Sequence, residues 1–304
     1  MPNRSPRATI ILMTITRRDF VRATLAAAAI GAVGNTFAGD VKLPRIRKAA
    51  EFSMVNLPGS ILDRFNRIKE AGFEGVEVNS PSDLPLPDLV EARDRTGLVI
   101  HGVMDPIHWQ SRLSDPDEKV RAKGLDVLCQ SLRDAKVLGA STVLLVPGRV
   151  TDKEKENYQQ VWDRSQEQIR KAIPVAQESG VKIGVEVVWN NFWTKPDEMA
   201  KYLDEINSPW VGAYFDVGNV VKFGIPCATW VNVLGKRIVK LHIKAYSMKR
   251  LWNVKIGEGD EDWPAVVKAL AQTGYDGWGT AEVGSKSMAE LRDIKVRMDQ
   301  NLGA

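Results

Sequence analysis

From about residue 48 onward, the hydrophobic pattern switches repeatedly between two periods. Short continuous apolar runs alternate with longer stretches whose apolar residues recur at helical spacing. A continuous apolar run of strand length marks a strand buried on both faces, and the helical spacing marks an amphipathic helix. The runs predict strands over 51–55, 75–79, 98–103, 142–147, 182–188, 211–216, 238–244 and 277–283. The periodic stretches predict helices over 60–71, 86–96, 116–138, 157–179, 196–206, 228–234, 263–273 and 287–302. Strict strand–helix alternation predicts a parallel sheet covered by helices. No linker or composition break divides residues 39–304, so they read as one α/β domain, a (β/α)8 TIM barrel.

The connections have a polarity. Helix-to-strand turns are short and carry glycine just past the helix, as at Gly72, Gly139, Gly180 and Gly274, where a left-handed residue ends the helix. Strand-to-helix loops are longer and richer in His, Trp, Asn and Arg. That side is the expected active face, because barrels place their chemistry at the carboxyl ends of the strands.

Four consecutive predicted strands, the fifth to the eighth, close on ionisable residues: Glu186, Asp216, His242 and Glu282. Singly, each has an ordinary explanation, such as a helix cap or a satisfied structural histidine. Together, on one rim, three buried carboxylates would repel one another strongly, and a divalent cation removes that repulsion. Three oxygens and one imidazole suit Mn²⁺ or Mg²⁺ better than a closed structural zinc. Further rim candidates for substrate hydroxyls or sugar faces are His101, Trp109, Trp189, Asn190, Asn219, Lys244, Arg250 and Glu258.

Charge changes the picture only at the amino terminus. Residues 1–38 hold five arginines and one aspartate, which accounts for the whole formal surplus of +4. The rest is near neutral, which argues against a nucleic-acid partner. Thr16-Arg-Arg-Asp-Phe-Val-Arg22 resembles the twin-arginine export motif, precedes a modest apolar run and is followed by small residues up to Ala38. The segment therefore reads as a cleaved export signal. It implies the twin-arginine export machinery as a partner and a periplasmic or otherwise exported location. A retained anchor is the alternative, against which the run falls short of the roughly 20 apolar residues of a span. Cys129 and Cys227 give no disulfide framework and read as unpaired. There is no GxGxxG after the first strand and no P-loop.

Val185-Glu-Val187, Tyr214-Phe-Asp-Val-Gly-Asn219, Lys240-Leu-His-Ile-Lys244, Gly257-Glu-Gly-Asp260 and Thr280-Ala-Glu282 resemble the xylose isomerase-like TIM barrels. The likeness covers essentially all of the chain after the signal and lies closest to the sugar phosphate isomerase/epimerase branch. That branch includes the D-tagatose 3-epimerase-like enzymes and hydroxypyruvate isomerases. The resemblance implies one divalent ion, commonly Mn²⁺ with Mg²⁺, Co²⁺ or Zn²⁺ as alternatives, held by Glu186, Asp216, His242 and Glu282. It also implies Glu186 and Glu282 as acid and base on a carbohydrate, and a homo-oligomer paired through active-face loops. The chain departs from the D-tagatose type at Asn219, where that type carries His, at Trp193, near a substrate-contacting Glu, and at Ala245, where many relatives carry Asp. A lyase acting on 3-keto-glycosides or keto-inositols and a non-catalytic sugar binder therefore stay open. A three-zinc DNA-repair endonuclease needs several histidines, and this chain has three.

Overall fold

A computed structural model describes residues 43–150 and 156–303; the segment read as an export signal lies outside the described residues. Its elements run β1 Ile46–Glu51, α1 Ile61–Glu70, β2 Gly75–Asn79, α2 Leu86–Thr96, β3 Val99–Met104, α3 Glu118–Leu138, β4 Thr142–Leu145, α4 Tyr158–Ser179 and β5 Lys182–Glu186. They continue α5 Pro196–Ile206, β6 Val211–Asp216, α6 Val217–Val221, α7 Cys227–Leu234, β7 Ile238–Ile243, α8 Trp263–Thr273, β8 Gly277–Ala281 and α9 Met288–Leu302. The strands pair in sequence order, all parallel, and β1 closes on β8 to complete the barrel.

Local chemistry explains the helix ends. Gly97, Gly139, Gly180 and Gly274 each take a left-handed φ at the end of a helix, a conformation that costs glycine nothing. At the start of α4, the Asn157 side chain accepts from Gln160 N, and Gln160 answers on Asn157 N, a reciprocal capping box. The helices lay their apolar stripes against the outside of the barrel, where Phe65, Ile68, Leu128, Leu132, Ile169 and Leu270 are essentially inaccessible.

Two expectations need correction. The first strand lies at Ile46–Glu51 instead of 51–55, and Phe52–Met54 forms a single 3-10 turn. The two basic residues of this strand find their partners far outside its own sequence window. Buried Lys48 donates to Gly303 O and stands 3.8 Å from Asp299, while Arg47 lies over the Trp278 ring at 4.8 Å. The short helix α6 is additional: it begins at once after Asp216, whose own carboxylate caps it. Both cysteines are free.

Candidate active site

Strand register levels the site. Glu186 is paired with Tyr214, Asp216 with His242, and His242 with Thr280, so neighbouring strands bring these positions to one height. Glu282 follows β8 directly, and its backbone N–H donates to Ile243 O at 3.1 Å, which extends the ladder by one residue. One donor atom from each of Glu186, Asp216, His242 and Glu282 lies within 4.8 Å of the others. His242 Nδ1 is 3.2 Å from Glu186 Oε1, 3.3 Å from Glu282 Oε2 and 4.0 Å from Asp216 Oδ2.

The two oxygens of Asp216 have separate duties. Oδ1 accepts the Asn219 N–H at 2.8 Å and so starts α6. Oδ2 is buried and makes no hydrogen bond, although the Lys244 ammonium stands 2.9 Å away as an ion pair. A buried carboxylate oxygen with no hydrogen bond, beside an imidazole nitrogen and two further carboxylates, is a donor set that fits a divalent cation.

The charges are tightly linked. Burial pushes the Asp216 carboxyl up to about 8, with Lys244 acting against it. Burial likewise raises Glu186, opposed by His242. Burial works the same way on Glu282, but His242 and Lys244 outweigh it, and this carboxyl is held below the ordinary range. Burial disfavours the charged imidazole of His242, yet Glu77, Glu282 and Glu186 overcome it and hold that ring above its ordinary value. The two glutamates are thus driven in opposite directions. His242 acts most strongly on Glu282, and Lys244 adds to it by donating to Glu282 Oε2 at 2.6 Å.

The remaining sequence candidates separate into groups. Lys244 lies within the cluster itself. Trp189 sits beside it in an aromatic group with Tyr246 and Trp252, whose ring centres are 4.9 and 4.8 Å from its own. Trp109 is exposed on the loop after β3, edge-on to His108. His101 is a correction. Instead of facing the rim, it is buried in the barrel interior and stacked on Trp278, with Nε2 2.8 Å from Thr280 Oγ1 and Nδ1 3.1 Å from Lys240 Nζ. With both ring nitrogens engaged, it has no atom left for a substrate hydroxyl.

Asn190 and Asn219 are braces. The Asn190 amide donates to Gly148 O and accepts from Phe192 N, while Asn219 donates to Val187 O and receives Trp189 Nε1 on its carbonyl. Arg250 donates to Glu258 O, and Glu258 pairs with Arg297 at 3.0 Å, so both side chains serve the long loop after β7.

The sequence reading passed over Glu77 and Tyr214. His242 Nε2 stands 2.7 Å from Glu77 Oε2, and Tyr214 donates to Glu77 Oε1 at 2.8 Å. A signal was present: Val76-Glu-Val78 repeats the pattern of Val185-Glu-Val187, and a carboxylate inside a buried strand requires a partner.

A family model described as "Xylose isomerase-like TIM barrel" matches residues 65–299. The chain belongs to the xylose isomerase-like TIM barrel family. It is 25% identical over 256 residues to an L-ribulose-5-phosphate 3-epimerase, UlaE, of Escherichia coli O157:H7, covering 78% of this chain and 89% of the relative. Two solved barrels have the same fold. A 3-keto-D-glucoside 4-epimerase from E. coli, YcjR, superposes with a TM-score of 0.71 at 17% identity, covering 84% of this chain and 99% of the other. An L-ribulose 3-epimerase superposes with a TM-score of 0.72 at 17% identity, covering 84% and 94%.

Proposed function

We propose that this xylose isomerase-like barrel is a divalent-metal-dependent sugar isomerase or epimerase that removes a proton from the carbon beside a carbonyl. One observation carries the reading: two glutamates, an aspartate and a histidine converge within 4.8 Å at the carboxyl ends of four consecutive strands. Glu186, Asp216, His242 and Glu282 would hold the ion, with Mn²⁺ the favoured occupant. Bound there, a divalent ion acts as a Lewis acid, polarising a carbonyl and offsetting the negative charge that develops on it.

The chain's own residues supply the proton chemistry. Glu186 approaches from β5 and Glu282 from the end of β8, with β6 and β7 between them in the barrel wall. One glutamate takes the proton next to the carbonyl, and the other returns one. Return to the same carbon from the other side is epimerisation, and delivery to the neighbouring carbon is isomerisation. The Lys244 ammonium, already within the carboxylate cluster, is placed to donate to a substrate oxygen that gains charge.

A second reading keeps the site and makes the enzyme a lyase on 3-keto-glycosides or keto-inositols. It is favoured by Trp193, which is wholly buried at the position near the substrate-contacting glutamate of the D-tagatose type. In either case we take the protein to act after twin-arginine export, on a small carbohydrate and not on nucleic acid, with pairing into a homo-oligomer as a further expectation.

The test is a heavy-water exchange screen of the Mn²⁺-loaded protein over ketoses and 3-keto-glycosides. Deuterium entering one carbon of an intact sugar supports the isomerase, whereas release of an aglycone or water supports the lyase. Glu186→Gln should lower either rate by about 10²–10⁴-fold. Mn²⁺-dependent sugar binding with no turnover in the parent, retained in Glu186→Gln, would leave only a sugar-binding role.

A further inference from the structure

The barrel interior beneath the four-residue cluster is unusually polar. Interior positions of such barrels are ordinarily filled by bulky branched aliphatic residues. Here Glu77, fully buried on β2, occupies one of them. A buried carboxylate is expensive unless its lone pairs are engaged, and an apolar side chain of the same size would pack at least as well. Both Glu77 oxygens are engaged: Oε2 lies 2.7 Å from His242 Nε2, and Oε1 accepts the Tyr214 hydroxyl at 2.8 Å.

The neighbouring strands are cut away to admit this pair, β3 beside Glu77 and β5 beside Tyr214. A Cβ on Gly102 would lie 2.7 Å from Glu77 Oε1, and one on Gly184 would lie 3.0 Å from the Tyr214 ring. Tyr214 also packs edge-on against the His242 ring, with centres 4.6 Å apart at 60°. Its hydroxyl stands 3.4 Å from Thr280 Oγ1, which ties the group to β8.

These contacts give the two nitrogens of His242 different neighbours. Nδ1 faces Glu186, Glu282 and Asp216, and Nε2 faces Glu77 alone. A carboxylate can only accept, so Glu77 keeps a proton on Nε2, and the nitrogen that gives its proton up to a cation in the cluster is Nδ1. We infer that Glu77, itself held by Tyr214, is a positioning residue that fixes the ring of His242 and makes Nδ1 its cation-binding atom. The inference rests on the reading of the cluster as a metal centre. It adds that affinity for the ion is set by a carboxylate one layer below the ligands.

The test is calorimetric titration of the metal-free protein with Mn²⁺, alongside its metal-free unfolding midpoint. The parent chain should bind one equivalent. Glu77→Leu should bind about 10–100-fold more weakly, because that is the usual effect of losing the partner of a ligating histidine. Glu77→Gln, which keeps an acceptor and loses the charge, should fall between the two. Tyr214→Phe removes only a hydroxyl and should weaken binding several-fold, which keeps the question open to test if Glu77→Leu does not fold. In the Zn²⁺-loaded protein, imidazole ¹⁵N spectra should show His242 protonated at Nε2 and bound through Nδ1; with three histidines in the chain, the assignment is tractable. Equal Mn²⁺ affinity in the parent and the folded variants, or Zn²⁺ bound through Nε2, overturns the role of Glu77 and leaves the metal centre standing. Failure of the parent to bind Mn²⁺ overturns the metal centre itself.

Discussion

A methyl group at Gly218 would sit 2.8 Å from Lys244 Cγ and 3.0 Å from Lys244 O. The first turn of α6 therefore passes so close to the end of β7 that only glycine leaves Lys244 its path into the cluster. Gly218→Ala should cost about 1–3 kcal/mol, the usual range for overpacking. Denaturant unfolding of the metal-free protein measures this, and an unchanged midpoint would mean that the two segments part without strain. Sequence alone indicated which residue types close the strands, but not which polar atoms were already spent. His101 looked like a rim residue because it lies in an apolar strand. Contacts with Lys240 and Thr280, residues 139 and 179 positions away, are what remove it from the site. Asn190 and Asn219 likewise reach backbone partners far along the chain, Gly148 O and Val187 O, that the sequence pattern does not indicate.

Elements were legible wherever their signals were local. Seven of the predicted helices end beside a glycine with positive φ, a conformation that costs glycine nothing. Asn157 marked a helix start, and the structure makes it the cap of α4 through its bond from Gln160 N at 2.9 Å. That contact is exposed and stands apart from the site, so Asn157→Ala should lower stability by about 1 kcal/mol while leaving Mn²⁺ affinity alone. Thermal unfolding and calorimetry together check the pair of outcomes, and a loss of metal affinity would show that the loop before α4 reaches the cluster. β1 was misplaced because its signal is not local. Arg47, Lys48 and Glu51 look like surface until Gly303 and Asp299, near the far end of the chain, are brought against Lys48.

Across the whole molecule, burial sets a pH dependence remote from the cluster. Burial pushes the Asp105 carboxyl up to about 6, partly opposed by the Ile107 and His108 N–H groups, and pushes Glu261 up to about 7, partly opposed by the Tyr246 N–H. Each binds its proton more tightly folded than unfolded, so its contribution is fully present below the ordinary carboxylate range. That contribution is lost as pH rises through about 6 for Asp105 and about 7 for Glu261. Stability of the metal-free protein measured at about pH 5 and pH 8 should therefore fall less in Glu261→Gln than in the parent. Parallel losses would refute the assignment to Glu261. What the sequence determined is the alternation of periods, and with it the barrel, together with the four strand-end residues, because both are written in nearest neighbours and in side-chain chemistry. Only closure of the barrel decided the rest. Register between strands brings Asp216 level with His242, and only the closed barrel, with room left by Gly102 and Gly184 on adjoining strands, brings Glu77 of β2 against Tyr214 of β6 and His242 of β7. Such contacts join strands on opposite sides of the barrel, and no local pattern carries information about a partner that far along the chain.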